Sequence, residues 1–337
     1  MKILIALLCT FSILRAAPSD EIKDELQKTP TDAHSAEELA WLETIPLIQQ
    51  PITSQDLQLP APAFEPRPHK SAFLAVSMST LFPGLGHVYL GDMKTAGGLM
   101  GTTGLGIGTA ALFHSKEALM TSLLAVQNTW FYGIYAAYRD VRMYNGQAGY
   151  SYKMPTDSLF DLTTAPFRWS VLKKPEVWGG LLGSFAVLVS AAYLAFPQDK
   201  EAHIRPALSV KRAFTPLVAF PVGVGEESFF RGYLQSQLSE ALTPWGGIAL
   251  SSLLFGAVHI PNGMALEPQN RRGYYTFIVP LITAFGAYEG WVTYKNHSLR
   301  ESVALHTWYD FVLFTISSLA GQAAITGHAD FAISIPF

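Results

Sequence analysis

Long apolar runs begin at Ser71 and recur towards the C-terminus, each parted from the next by a short polar or charged stretch. A helix needs roughly 20 apolar residues to cross a bilayer. Candidate spans read off this alternation lie at about 71–90, 95–114, 118–138, 176–196, 213–224, 245–260, 274–293 and 302–325. The two shorter ones, 213–224 and 245–260, would have to be tilted, broken or buried behind other helices. The pattern predicts an all-α fold: a polytopic integral membrane helical bundle of about seven or eight transmembrane helices.

Ahead of Ser71 the pattern is different. Lys2, an apolar stretch from Ile3 to Leu14 and the small residues Ala16 and Ala17 read as a signal peptide over 1–17, or as an uncleaved anchor because Arg15 spoils the cleavage site. Either implies export of the adjoining polar segment. Residues 18–70 mix acidic and Pro-rich coil with one possible short helix around Ala36 to Ile48, and read as an extramembrane linker. Within the bundle, TLFPGLGHVYLGDMKTAGG carries Pro83, Gly84, Gly86, Gly91 and Gly97, which stop a helix and allow a tight re-entry. It is similar to the PGxGxxYxG hairpin of small two-span membrane modules, and His87 within it reads as an interfacial residue.

Composition supports the membrane class: 49% of the 337 residues are hydrophobic and only 15% are charged. A net charge of −3 supplies no broad basic surface, so nucleic acid is not an expected partner. The single cysteine, Cys9, sits in the N-terminal apolar run and leaves the rest of the chain without a disulfide. Arg139, Arg142, Lys153, Arg168, Lys173 and Lys174 form the densest basic loop and place it in the cytoplasm. With a cleaved signal, residues 18–70 then fall outside. The loop with Lys200, Arg205, Lys211 and Arg212 breaks the rule, since the same count puts it outside too.

An ionisable side chain within a span costs about 2.5–3.5 kcal/mol on insertion scales, so such residues line polar cavities and act there. Three clusters stand out. In GVGEESFFRGYLQ, Glu227 and Arg231 are four apart and share a helical face, while Glu226 is turned about 100° away. The two carboxylates can therefore play different parts, one held ionised by the guanidinium and the other turned into a cavity; Phe229 and Phe230 read as packing groups. In LLFGAVHIPNG, Phe255 and His259 share a face just before Pro261. In LHTWYD, His306 and Asp310 are again four apart. Glu289, His297 and His203 read as loop or interfacial residues.

Taken in chain order, EExxxR, FxxxH and HxxxD resemble the motif set of the type II CAAX prenyl endopeptidase and bacteriocin-processing (CPBP, Abi) family of intramembrane proteases. The resemblance covers roughly residues 210–320, within a membrane domain at 205–325 that is preceded by N-terminal spans at 71–200 and followed by a tail at 326–337. The last motif ends in Asp310 where the eukaryotic enzymes carry Asn. The resemblance implies that Glu226 activates water, Glu227 and Arg231 hold the local geometry, His259 completes the water-activating pair, and His306 with Asp310 steadies the oxyanion. It also implies a peptide or membrane-protein substrate, the lipid bilayer as partner and, for a secreting bacterium, an inner (cytoplasmic) membrane location. Glu226, His259 and His306 are acceptable ligands for a divalent metal such as zinc, but no HExxH is present and a glutamate base without metal fits the same residues. A catalytically silent scaffold or immunity-type factor with the same fold is the competing reading. A transporter is a third, disfavoured because no internal repeat is visible.

Overall fold

The computed structural model describes residues 68–113, 115–147, 149–195, 216–266 and 268–326, with no strand among them. The expected signal peptide, almost all of the 18–70 segment, Cys9, His203, the charges from Lys200 to Arg212 and the tail past Thr326 lie outside the described residues. Lys70–Phe337 falls within one compact unit, and Ile13–His69 forms a second of which only Pro68 and His69 are described.

α1 (Ala72–Leu81) opens with the Ser71 hydroxyl accepting the Leu74 N–H at 3.2 Å. The run expected as one span over 71–90 is broken by Pro83 and by Gly84, whose φ of +97° only glycine adopts cheaply. α2 (Leu85–Leu90) comes next, and then α3 (Met93–Leu112), capped by Asp92 through the Thr95 N–H at 3.0 Å. His87 is fully buried, with Nε2 3.2 Å from Asp140 Oδ2 on the next helix.

That next helix, α4 (Lys116–Tyr144), is 29 residues long and is the spine of the N-terminal half. Its last turns carry Arg139 and Arg142, which charge counting assigns to a basic loop. Instead both are buried: Arg139 pairs with Asp140 at 2.7 Å, and Arg142 lies 3.3 Å from Glu240. Neutralised in this way, they are poor witnesses of membrane orientation. The irregular segment 150–158 is stitched across the bundle. Arg142 donates to the Tyr152 carbonyl at 2.8 Å, Arg139 to the Asp157 carbonyl at 2.6 Å, and Tyr135 to the Pro155 carbonyl at 3.2 Å. Two short helices, α5 (Leu159–Thr164) with a Ser158–Asp161 capping box and α6 (Trp169–Leu172), lead into α7 (Pro175–Ala195).

The C-terminal half holds the motif helices. α8 (Ala219–Glu227) runs without a break into a wide π-type turn over Ser228–Leu234 and on into α9 (Gln235–Ala241). The described part of the candidate span 213–224 is thus the start of a helical stretch that runs to residue 241. α10 (Pro244–Val258) continues as a 3-10 turn over Ile260–Ala265, then α11 (Pro268–Gly273), a second wide turn over Tyr274–Ile278 and α12 (Val279–Asn296). His297, exposed and at φ +48°, turns the chain into α13 (Arg300–Thr326). Among the described residues, Pro244–Met264 is the one helical stretch long and apolar enough to cross a membrane by length and composition. The others are broken, shortened or carry charge within their length, as α13 does at Glu301, His306 and Asp310.

α8 lies between α4 and α13 at van der Waals distance. A methyl group at Gly225 would run into Asn128 of α4, and one at Gly223 into Thr307 of α13. Both glycines are within one turn of Glu226, so close helix contacts surround the first motif on two sides. Phe229 and Phe230 pack as expected, Phe229 stacking on Phe131 of α4 with ring centroids 4.7 Å apart.

Candidate active site

The end of α8 presents Glu226 and Glu227 to α13, and the wide turn beyond it still carries Arg231 back over the same face. Glu227 is fully buried and its Oε1 serves two partners. His306 Nδ1 lies at 2.8 Å and Arg231 Nη1 at 2.9 Å, the latter in ion-pair contact but not aligned as a hydrogen bond. The second fork of the guanidinium, Nη2, donates to Oε2 of Glu289 at 2.7 Å. Glu289 is therefore neither a loop nor an interfacial residue: it is fully buried on α12, and its other oxygen faces His306 Nδ1 at 3.5 Å. The signal that could have found it is an acid within the apolar helix 279–296, by the rule that picked out the other clusters.

On the far side of the imidazole, Nε2 lies 3.5 Å from Asp310 Oδ2 and 3.8 Å from Glu226 Oε2. The close partner of His306 is thus Glu227, at hydrogen-bond distance, rather than Asp310. Because Nδ1 points at a carboxylate, that nitrogen carries a proton. Glu226 is the more open of these acids, its side chain 16% exposed against 7% for Asp310 and none for Glu227 and Glu289. Facing it electrostatically are both His306 and His259.

His259 ends α10, where its Nδ1 lies 2.7 Å from the Phe255 carbonyl. A carbonyl only accepts, so Nδ1 is the donor and Nε2 holds the lone pair of the neutral ring. Tyr274 clamps the same residue by donating to the His259 carbonyl at 3.0 Å. Phe255 is the hub of the apolar wall: its ring lies 4.9 Å from that of His259, 6.1 Å from that of His306 and 4.3 Å beneath the Arg231 guanidinium.

One trio among the described residues, Glu227, Glu289 and His306, has ligand atoms within 4.8 Å of one another. Arg231 already bridges its two carboxylates, so a dication there would meet a fixed positive charge at close range. Glu226, His259 and His306, the trio the sequence offers, do not gather to that spacing. The donor groups therefore do not suit a divalent ion.

The described residues thus form a helical bundle with a buried centre of carboxylates, imidazole and guanidinium, edged by one more open glutamate. Residues 209–312, about a third of the chain, match the family model described as Type II CAAX prenyl endopeptidase Rce1-like, so that segment is an Rce1-like domain. The match takes in all six motif residues, Glu226, Glu227, Arg231, His259, His306 and Asp310, and Glu289 as well. Members of that family are membrane proteins and proteases, hence hydrolases. No curated protein and no solved structure matches the chain.

Proposed function

We propose that the chain is an intramembrane endopeptidase that cleaves a peptide bond of a membrane-associated protein or peptide with water activated by Glu226, in a bacterial inner membrane. The observation that carries this reading is the ordering of exposure in the centre: Glu226 is open to a water molecule, while the acids behind it are sealed against Arg231 and His306. A water resting on Glu226 gives that carboxylate a proton as its oxygen attacks the scissile carbonyl carbon. His259, its Nε2 lone pair turned from the Phe255 carbonyl, orients the same water. His306, protonated on both ring nitrogens with Glu227 at Nδ1 and Asp310 at Nε2, turns its Nε2–H to the charge that develops on the carbonyl oxygen. The proton held by Glu226 then passes to the leaving nitrogen as the C–N bond breaks, which returns the carboxylate to its starting form. Water and base are thereby gathered in a polar pocket screened from lipid, as peptide hydrolysis in a membrane requires.

The test is cleavage of an internally quenched mixed-sequence peptide library by the detergent-purified chain, wild type beside Glu226→Gln. The glutamine keeps the size and most hydrogen bonds but cannot take the proton, so turnover should vanish while the melting temperature holds. Equal cleavage by the two proteins would remove Glu226 from the role of base. A melting temperature lowered as far as that of Arg231→Ala would favour a scaffold in which the charges serve only as interhelical glue.

A further inference from the structure

We propose that Glu289 is a positioning residue for His306: it occupies the Arg231 guanidinium so that Glu227 can serve the imidazole. This rests on the endopeptidase reading and adds to it a residue on α12, the helix without a recognised motif.

Two donors compete for one oxygen. Glu227 Oε1 faces both His306 Nδ1 at 2.8 Å and Arg231 Nη1 at 2.9 Å. A guanidinium prefers two parallel hydrogen bonds to one carboxylate, and left alone with Glu227 it would take both oxygens. Yet Glu227 Oε2 takes no hydrogen bond from Arg231, and Arg231 Nη1 is not aligned on Oε1. What turns Arg231 away is Glu289, whose Oε2 accepts from Nη2 at 2.7 Å, the shorter of the guanidinium's contacts to the two acids. The imidazole gains the well-aligned bond to Glu227 that Arg231 gives up. Glu289, whose carboxyl also lies against that of Glu227, adds a second acid through Oε1 at 3.5 Å on the Nδ1 side.

The other groups facing His306 do not supply this. Glu226 from α8 and Asp310 from its own helix lie on the Nε2 side, Phe255 from α10 and Phe285 from α12 present ring faces or edges, and His259 lies beyond Phe255. Among the described residues, only Glu227 and Glu289 meet Nδ1, and only Glu289 also holds Arg231 by an aligned hydrogen bond. With Nδ1 fixed as donor to Glu227, the ring plane is set and Nε2 is aimed at the space between Glu226 and Asp310, where the carbonyl oxygen of a substrate would sit.

Two measurements on the full-length chain in detergent test this. In 15N-histidine-labelled protein, with the His306 signals identified by their loss in His306→Gln, Glu289→Gln should move the Nδ1 resonance of His306 away from its wild-type position. Glu289→Asp, which keeps the carboxyl, should restore most of it. In the quenched-peptide assay, Glu289→Gln should lower kcat at least tenfold with KM within about twofold, and Glu289→Asp should recover part of that loss. An unmoved Nδ1 resonance in Glu289→Gln overturns the proposal. So does a glutamate-to-aspartate variant as impaired as the glutamine one in both readouts, and so does a melting temperature so low in both variants that neither folds, which would make Glu289 structural. Failure of the endopeptidase reading looks different: wild type cleaves no peptide, while the resonance shift still decides the link between Glu289 and His306.

Discussion

At Arg231 three helices meet through one side chain. It sits at the end of the first motif, reaches Glu289 of α12, and shares Glu227 with His306 of α13. Removing it takes from Glu289 its hydrogen-bond donor and leaves Glu227 with His306 alone, and breaking a buried ion pair from one side costs about 3–5 kcal/mol. Arg231→Ala is therefore expected to lose both activity and fold, read as a lower melting temperature and no cleavage on the same preparation, in contrast to Glu226→Gln. The motif residues were legible in the sequence because i, i+4 spacing on a helix puts them on one face, and that geometry survives the wide turn between Glu227 and Arg231. Glu289 was not legible in that way. It has no charged partner of its own helix at i±3 or i±4 to mark it, and its partners, Arg231 and His306, are 58 and 17 residues distant by number. Buried pairing at such range belongs to the fold and leaves no local periodicity.

Helix starts and crossings set where these side chains point. The first turn of α13 is held by Asp157, whose carboxylate accepts the Leu299 N–H at 2.8 Å and the Ser298 hydroxyl at 3.1 Å, with Arg300 at 3.2 Å. Burial outweighs these bonds and pushes the Asp157 carboxyl above its ordinary range. A carboxyl raised on folding holds its proton more tightly in the folded state, so its contribution to stability is greatest at low pH and declines as pH climbs through its raised value. The melting temperature of wild type relative to Asp157→Asn should accordingly fall from about pH 4 upwards and level off once the group is ionised. A flat or rising difference would show that the hydrogen bonds prevail over burial. At the crossing of α8 with α4, Gly225→Ala should overpack the contact with Asn128 and cost about 1–3 kcal/mol, with activity lost through displacement of Glu226. Wild-type cleavage and melting in that variant would refute the crossing. The long helices were readable from apolar runs, but their ends were not, nor were the short helices α5, α6, α9 and α11. Pro83 and Gly84 split the first run, and the wide turn lets α8 and α9 read as a short apolar piece followed by a polar one although the backbone is continuous.

Across the whole molecule, the Rce1-like domain does not stand by itself. α4 supplies Asn128 against Gly225, Phe131 against Phe229, and the Arg142 that faces Glu240. A chain truncated to residues 205–326 is expected to expose these faces and aggregate or melt far below the full chain in the same detergent; a truncated form that melts like the parent would make the N-terminal helices dispensable. The motifs located the centre within this domain but held no sign that the preceding helices form its other wall, because apolar runs say that a face is buried without saying against what. The segment 150–158 leads from α4 to α5, and it is fastened to the bundle on both sides of its exposed Lys153: Tyr152 by Arg142 and Glu240, Asp157 by Arg139 and the start of α13. With a non-covalent clasp on each side of Lys153, a nick there is expected to leave two fragments that stay together, read as their co-elution from a sizing column in detergent; fragments that separate would show that the clasp alone does not hold them.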